Sequence, residues 1–182
     1  MQNIFFYSPN ELKQDFRTDA PGKVLAGDIT YIRTNIRWVY LAIVMDLYNR
    51  EVVGYTVSQS IDSELVRRAL GNAIARSGGL RGAVFHSDRG TQYSSASYRR
   101  MLEENGIRQS MSRSGCPYDN ACSESFFATA KKECIYLKNY ATIHEVKRDI
   151  FEYIESNEKI RRSFFSIREH FNGACEEKSV NK

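Results

Sequence analysis

Three acidic side chains stand at positions where a folded chain could gather them around metal ions. Asp28 lies inside the first predicted β-strand, Asp88 directly follows the fourth, and Glu124 falls in the first turns of a predicted helix. Such a set offers only hard oxygen ligands, which Mg²⁺ and Mn²⁺ prefer. Two ions held about 3.5 to 4 Å apart would clamp the attacking and leaving oxygens of a phosphodiester. The set therefore predicts a two-metal site for phosphoryl transfer.

The spacing of these residues is weak evidence by itself. An Asp followed 36 positions later by a Glu recurs along the chain, for example in Asp15 and Glu51, Asp28 and Glu64, and Asp88 and Glu124. Only in the last of these pairs does the Asp follow a predicted strand and the Glu lie at the start of a predicted helix, with one complete helix and one complete strand between them. The alternative is structural, with Asp88 capping a turn and Glu124 a solvated helix charge. For either residue taken alone, this structural alternative is favoured.

The chain changes from strand character to alternating helix and strand. β-Forming residues dominate 24–34, 38–45 and 51–57, and the turns between them predict three consecutive antiparallel strands. After residue 61 the hydrophobic periodicity becomes helical and predicts a helix from Asp62 or Ser63 to Gly78. A strand over 83–86, a helix over 95–104 and a strand over 107–111 are predicted next, followed by helices over about 120–136 and 142–160. The apolar run 38–45 indicates a strand buried on both faces, hence central in its sheet. This order predicts an α/β fold with a mixed five-stranded sheet flanked by helices.

The helix predicted from residue 120 has two distinct sides. Its apolar arc consists of Cys122, Phe126, Phe127, Ala130 and Cys134. The opposite side carries Asn120, Glu124 and Lys131. Lys131 is two turns from Glu124, too far to pair with it, and could contact the phosphate of a polyanion bound at the carboxylates. A solvated lysine fits the pattern equally well.

Composition excludes several classes of protein. The 182 residues suffice for one domain, and the formal charge of +4 permits a polyanionic partner without requiring one. The longest apolar run is far shorter than the roughly 20 residues of a membrane span, and no secretory signal begins the chain, so we expect a cytoplasmic protein. The four cysteines form no C-x-x-C pair and the three histidines are scattered, which favours reduced thiols over a zinc site.

Four ordered stretches resemble the catalytic core of insertion-sequence transposases related to retroviral integrases. The group is the one whose transposase is made from two overlapping reading frames. The matching stretches are Gly27 to Ile32, Tyr40 to Leu47, His86 to Ser95, and Ser110 to Gly115 continuing through Tyr118 to Ala121 and Glu124 to Phe127. The resemblance covers the chain from about Gly22 to Ile160.

The resemblance implies a ribonuclease H-like fold and a site of two aspartates and a glutamate, carried by Asp28, Asp88 and Glu124. It also implies two Mg²⁺ or Mn²⁺ ions, water as the nucleophile for nicking a transposon end, and a 3′-hydroxyl for strand transfer. No covalent protein nucleophile is expected. His86 is then a residue that packs or hydrogen-bonds beside the site, and His86, Ser87 and Asp88 are not a hydrolase triad.

The same resemblance implies DNA contacts around this site. Asn120 and Lys131 match integrase-like positions that approach DNA. The segment 112–119 resembles the mobile loop beside the site, and two of its residues, Arg113 and Tyr118, are further predicted DNA contacts. The expected partners are transposon-end and target DNA, together with a second copy of this chain or a full-length transposase.

The ends depart from the family pattern. We divide the chain into a lead of residues 1–20, an integrase-like core of 21–162 and a divergent tail of 163–182, where the usual helix-turn-helix region and the usual continuation after Arg162 are not found. The leading hypothesis is a transposase catalytic core, here in a shortened copy. Two alternatives stay open: a non-catalytic DNA-binding or regulatory remnant, and a ribonuclease H-like nuclease that only hydrolyses.

Overall fold

The computed structural model describes residues 7–13, 15–113 and 121–156. The strands are β1 (Val24–Arg33), β2 (Trp38–Asp46), β3 (Glu51–Ser58), β4 (Val84–Ser87) and β5 (Arg108–Met111). The helices are α1 (Ser63–Arg76), α2 (Thr91–Ser94), α3 (Ala96–Glu104), α4 (Ala121–Glu133) and α5 (Ile143–Ser156), with a 3₁₀ turn at Ile135–Leu137. None of the helices in these ranges is long and apolar enough to span a lipid bilayer.

The five strands form one mixed sheet in the order β3-β2-β1-β4-β5. The first three strands are antiparallel, whereas β4 pairs in parallel with β1, and β5 pairs in parallel with β4. The predicted α/β class and strand number are therefore confirmed. The prediction that β2 is the central strand is wrong: β2 is interior, but the middle of the sheet is β1, because β4 and β5 add on its other side.

Helices cover both faces of the sheet, and strand residues alternate between the two cores. Helices α1 and α3 pack with Leu25, Val44 and Phe85 on one face. Helices α4 and α5 pack with Ala26 and Ile43 on the other face, where Phe126 and Phe127 of α4 are buried. Successive strand residues point to opposite faces, so one strand can serve both cores.

The helices differ from the prediction at several points. The short helix α2 precedes α3 and was not predicted, because four residues give no helical period to read. Helix α4 ends at Glu133 and gives way to the 3₁₀ turn at Ile135–Leu137, whereas the prediction continued to residue 136. Helix α5 begins at Ile143, one residue from the predicted start, and the predicted continuation to residue 160 lies outside the described residues, as does the tail 163–182.

The lead is bound to the edge strand β5. The Met111 amide donates to the Pro9 carbonyl, and the Glu11 amide donates to the Ser110 hydroxyl at 2.9 Å. Leu12 is buried in the core shared with α4 and α5. These contacts protect a strand edge that would otherwise expose unpaired backbone groups.

Candidate active site

Asp28 and Asp88 lie at equivalent positions on neighbouring parallel strands. The register pairs Ala26 of β1 with His86 of β4, and each aspartate follows two residues later. Strand β4 ends at Ser87, whereas β1 continues to Arg33. Asp28 therefore lies where β1 extends past the end of β4, and Asp88 is the first residue after β4. Adjacent strands are about 4.8 Å apart, so the two backbones are close.

Backbone amides orient both carboxylates. The Ile29 amide donates to Asp28 Oδ1 at 2.7 Å, and the Gly90 amide donates to Asp88 Oδ1 at 2.9 Å. Asp28 is half-buried and Asp88 is exposed. Asp28 is paired in the register with Ile43, which belongs to the core under α4, so Asp28 lies on the α4 face of the sheet.

The buried phenol of Tyr93 lies within electrostatic range of both aspartates, whose charges affect its pKa. Its burial is the main cause of a pKa far above the usual range for tyrosine, and the neighbouring Tyr98 and the charges of Asp28 and Asp88 raise the pKa further. Two separate carboxylates act on one side chain, which agrees with the register that brings them together. Tyr93 is a residue of this neighbourhood that sequence reasoning missed; the stretch Gln92-Tyr93-Ser94 carried no signal separating it from other core tyrosines.

His86 is buried beside Asp88 and is held by two serines. Its Nδ1 lies 2.8 Å from Ser110 Oγ, and its Nε2 lies 3.1 Å from Ser112 Oγ. The Ser112 hydroxyl also donates to the Ser87 carbonyl at 3.3 Å. The predicted packing and hydrogen-bonding position of His86 is confirmed. These bonds link the end of β4 to the start of the segment 112–119.

Helix α4 runs in the same direction as β1, as contacts near its two ends establish. Near its start, Cys122 Sγ accepts a hydrogen bond of 3.0 Å from Arg50, which follows the β2 residue paired with Leu25 at the amino end of β1. Near its end, Lys131 Nζ lies 5.1 Å from the centre of the Tyr31 ring, in the carboxyl half of β1. The helix therefore follows β1 from its amino half toward its carboxyl half.

This direction places Glu124 toward the amino half of β1, which also carries Asp28. Seven residues of helix span about 10.5 Å and fall about 20° short of two turns, so Glu124 and Lys131 share one flank. Asp28 precedes Tyr31 by three residues, or about 10 Å of strand. Glu124 therefore lies nearer than Lys131 to the level of Asp28 along β1. Its side chain is exposed.

The donor set suits a hard divalent cation, but the described side chains are not drawn together into a ligand cage. Within residues 7–13, 15–113 and 121–156, no group of three His, Cys, Asp or Glu side chains is close enough to hold a metal ion. Asp28 and Asp88 approach each other from neighbouring strands, and Glu124 lies on α4, which packs on the face of the sheet that carries Asp28. The assignment of all three as metal ligands stays a prediction.

The predicted DNA contacts divide into two groups. Asn120 and Tyr118 lie outside the described residues. Arg113 is exposed at the start of the segment 112–119, and Lys131 is half-buried over Tyr31. Next to Asp88, Arg89 Nε donates to the Ser112 carbonyl at 2.9 Å, which connects the second aspartate to the same segment.

Comparisons with known proteins agree with this architecture. A model of a family described as "Integrase core domain" matches residues 18–117, and a second model with the same description matches residues 105–173. Transposase InsF for insertion sequence IS3A of Escherichia coli (strain K12) is 44% identical over 148 residues, which are 81% of this chain and 51% of that protein. The transposase for insertion sequence element IS904 of Lactococcus lactis subsp. lactis (strain IL1403) is 40% identical over 154 residues, 85% of this chain and 61% of that protein. The chain thus spans about half the length of the first of these relatives.

Solved structures share the fold at low identity. The catalytic domain of Mos1 mariner transposase superposes with a TM-score of 0.58 at 14% identity, covering 77% of this chain and 73% of that one. The HTLV-2 integrase catalytic core domain gives 0.52 at 18% identity, covering 64% and 72%. The predicted ribonuclease H-like fold and the resemblance to insertion-sequence transposases with an integrase-like core are confirmed. The first family model alone matches more than half of the residues of this chain, which therefore belongs to the integrase core domain family.

Proposed function

We propose that this chain is the catalytic core of a DNA transposase that nicks the ends of an insertion sequence and joins them to target DNA. The reaction is a metal-dependent phosphoryl transfer in which Asp28, Asp88 and Glu124 hold two divalent cations. The observation that carries the proposal is the parallel register Ala26 with His86, which sets Asp28 and Asp88 side by side at the edge where β4 ends. Ligands of open α/β sheets bind outside such strand ends.

The chemistry of the donors supports Mg²⁺ or Mn²⁺ as the cofactor. Carboxylate oxygens without a nearby thiolate are ligands for small hard cations. The related HTLV-2 integrase core was solved in complex with magnesium, and the Mos1 catalytic domain was solved with manganese. When bound, two such ions polarise the scissile phosphate and increase the acidity of the attacking water or 3′-hydroxyl.

The protein's own part is to orient the carboxylates and to position the DNA. The Ile29 amide donates to Asp28 and the Gly90 amide donates to Asp88, and these backbone bonds orient both carboxylates. Glu124 on α4 completes the set in this proposal. Arg113 and Lys131, with Asn120 and Tyr118, bind DNA phosphates around the site.

Cleavage and joining of labelled oligonucleotides test the proposal. Purified chain is incubated with duplexes carrying the element's terminal repeats, with Mn²⁺, Mg²⁺ or a chelator, and nicked and joined products are separated by size. We expect metal-dependent products of both kinds, and we expect Asp88→Asn and Glu124→Gln each to abolish them, since the three carboxylates act as a unit.

A matched control comes from the competing spacing. Glu64 follows Asp28 by 36 positions but lies on α1, paired with Arg67 and Arg68 at the surface. Glu64→Gln is therefore expected to keep wild-type activity. Activity that survives loss of Asp88 or Glu124 would contradict the site. Nicked product without joined product would favour the nuclease that only hydrolyses, and folded protein without either product would favour a non-catalytic remnant.

A further inference from the structure

We propose that an exposed aromatic and cationic patch at the carboxyl end of β1 binds a single-stranded segment of DNA by base stacking. The patch consists of Tyr31 and Arg33 on β1, Trp38 on β2, and Lys131 on α4. The choice of DNA as the occupant rests on the proposed function. The patch is separate from the three carboxylates, and its binding can be measured without any metal.

The aromatic rings of the patch are exposed although they have a large apolar surface. Tyr31 is 59% exposed and Trp38 is 43% exposed. Their centroids are 5.2 Å apart with an angle of 89° between the ring planes, so the two rings present differently oriented faces. Folding has left both rings at the surface, next to each other, which is a typical property of binding surfaces rather than of a core.

Each ring has a cation at its face. The Arg33 guanidinium lies 5.0 Å from the centre of the Trp38 ring, and Lys131 Nζ lies 5.1 Å from the centre of the Tyr31 ring. Stacking of a nucleobase on an aromatic ring is stronger than a cation–π contact at an exposed site. A base can therefore take up a ring face while the displaced cation moves to the adjacent phosphate.

The charge around the patch favours a polyanion over a protein partner of mixed charge. No Asp or Glu occurs from residue 29 to residue 45, a range that contains the whole β1–β2 turn. The same range contributes Arg33 and Arg37, and α4 adds Lys131. Aromatic faces interleaved with cations, here on the part of the β1–β2 hairpin that carries no carboxylate, are the combination that binds single strands without sequence preference.

The patch is within reach of the proposed site. Tyr31 follows Asp28 by three residues on one continuous strand, a distance of about 10 Å. At roughly 3.4 Å per stacked nucleotide, about three nucleotides separate a phosphate at Asp28 from a base on Tyr31. A duplex buries its base faces in its own stack, so only an unpaired segment can use these rings.

Tryptophan fluorescence provides a direct test, because Trp38 is the single tryptophan of the chain. The full chain is titrated with oligo(dT) and with a duplex of equal length, in the presence of a chelator so that no chemistry occurs. We expect saturable quenching by oligo(dT) at concentrations at least tenfold lower than for the duplex, and an affinity that falls with salt. Equal affinity for the two forms would overturn the proposal. A change in fluorescence with protein concentration alone would show instead that a second copy covers the patch, and would overturn it too.

Two tyrosine variants locate the binding. Tyr31→Ala is expected to weaken binding of labelled oligo(dT), measured by anisotropy, about tenfold or more, as is usual for loss of one stacking ring. Tyr48→Ala, which removes an exposed tyrosine from the turn at the opposite end of β2, is expected to leave affinity unchanged. Circular dichroism checks that both variants are folded. Unchanged affinity in folded Tyr31→Ala would overturn the proposal.

The outcome is distinguishable from that of the catalytic proposal. Asp88→Asn should bind oligo(dT) at least as tightly as the unmodified chain, because the patch and the carboxylates are different groups and the variant loses a negative charge. If stacking is found but the chain neither nicks nor joins DNA, the patch stands and the transposase activity fails. If the chain is active but Tyr31→Ala binds oligo(dT) normally, the activity stands and the patch fails.

Discussion

At the scale of single residues, the space around a glycine shows how closely a helix packs on a strand. A Cβ built on Gly54 of β3 would lie 2.3 Å from the Ala69 carbonyl oxygen and 2.6 Å from the Ala73 amide nitrogen of α1. Backbone atoms cannot move aside as a flexible side chain can. The packing of α1 on β3 therefore depends on the missing side chain at this position.

Alanine at two glycines should have opposite effects on stability. We expect Gly54→Ala to lower the free energy of unfolding by about 2–3 kcal/mol, because overpacking displaces α1 from the sheet. Gly71, inside α1, would meet only Met101 Cε at 3.5 Å, an ordinary contact. Gly71→Ala should then raise stability by about 0.5–1 kcal/mol, since alanine favours a helix. Urea unfolding followed by circular dichroism measures both, and a stable Gly54→Ala would contradict the close approach.

A second residue-scale feature is the carboxylate of Asp149 on α5. Its side chain is 2% exposed, and it accepts a hydrogen bond of 2.6 Å from Lys138 and one of 3.2 Å from Arg148. The bond from Lys138 is the main cause of a pKa below the usual range for aspartate. A carboxyl with a lowered folded-state pKa stabilises the fold above its unfolded pKa, and this contribution is lost as pH falls through the folded value.

Replacement of Asp149 should therefore lower the free energy of unfolding near neutral pH but not in acid. Asp149→Asn is expected to reduce stability at pH 7 by about 1.5–3 kcal/mol, the range for hydrogen bonds to a charged group. Because the variant has no carboxylate to protonate, its stability should fall less than that of the unmodified chain between pH 7 and pH 3. Urea midpoints across that range measure the difference. Equal acid sensitivity in both proteins would show that Asp149 is not the titrating group.

At the scale of elements, local hydrophobic periodicity was enough to predict most of the strands and helices. The five strands and the helices α1, α3, α4 and α5 follow from alternation and helical spacing, and they are found within a few residues of their predicted bounds. The place of β2 in the sheet was not predictable from its apolar run, because burial on both faces is common to all interior strands. The pairing of β4 beside β1 arises from contacts distant in sequence.

The candidate site was predictable in the same partial sense. The sequence and the family resemblance selected Asp28 and Asp88, and the strand register brings these two together. The place of Glu124 depends on the direction in which α4 runs along β1, which the contacts of Cys122 with Arg50 and of Lys131 with Tyr31 indicate. Neither contact has a sequence signal, because each joins residues with unrelated local patterns.

The lead provides a prediction about an element. Sequence alone left residues 1–20 as a poorly structured lead, yet Leu12 is buried in the core and its neighbours bond to β5. Leu12→Ala should lower the free energy of unfolding by about 2 kcal/mol, the lower end for a truncated core leucine. Asp19→Ala, at an exposed position of the same lead, should have little effect. Urea unfolding compares the two, and an equally small effect of Leu12→Ala would show that the burial of Leu12 does not contribute to stability.

At the scale of the whole molecule, one sheet supports every group of the proposed site. Asp28 and Asp88 extend from adjacent strands, and α4 carries Glu124 while its buried Phe126 packs in the same core as Ala26. A chain that binds a second copy of itself would then contain one complete carboxylate set in each subunit. In this arrangement neither subunit supplies a carboxylate to the other.

Mixing two inactive variants tests whether the set is complete within one chain. Asp88→Asn and Glu124→Gln are combined in equal amounts, and nicking of terminal-repeat DNA is measured in Mn²⁺. We expect the mixture to be as inactive as each variant alone, because each chain lacks one of three carboxylates that act as a unit. Unmodified chain mixed with either variant should still nick DNA, which controls for poisoning by the variant. Recovered activity in the mixture of variants would show that a second chain supplies Asp88 or Glu124, and α4 would then have to pack on the sheet of its partner.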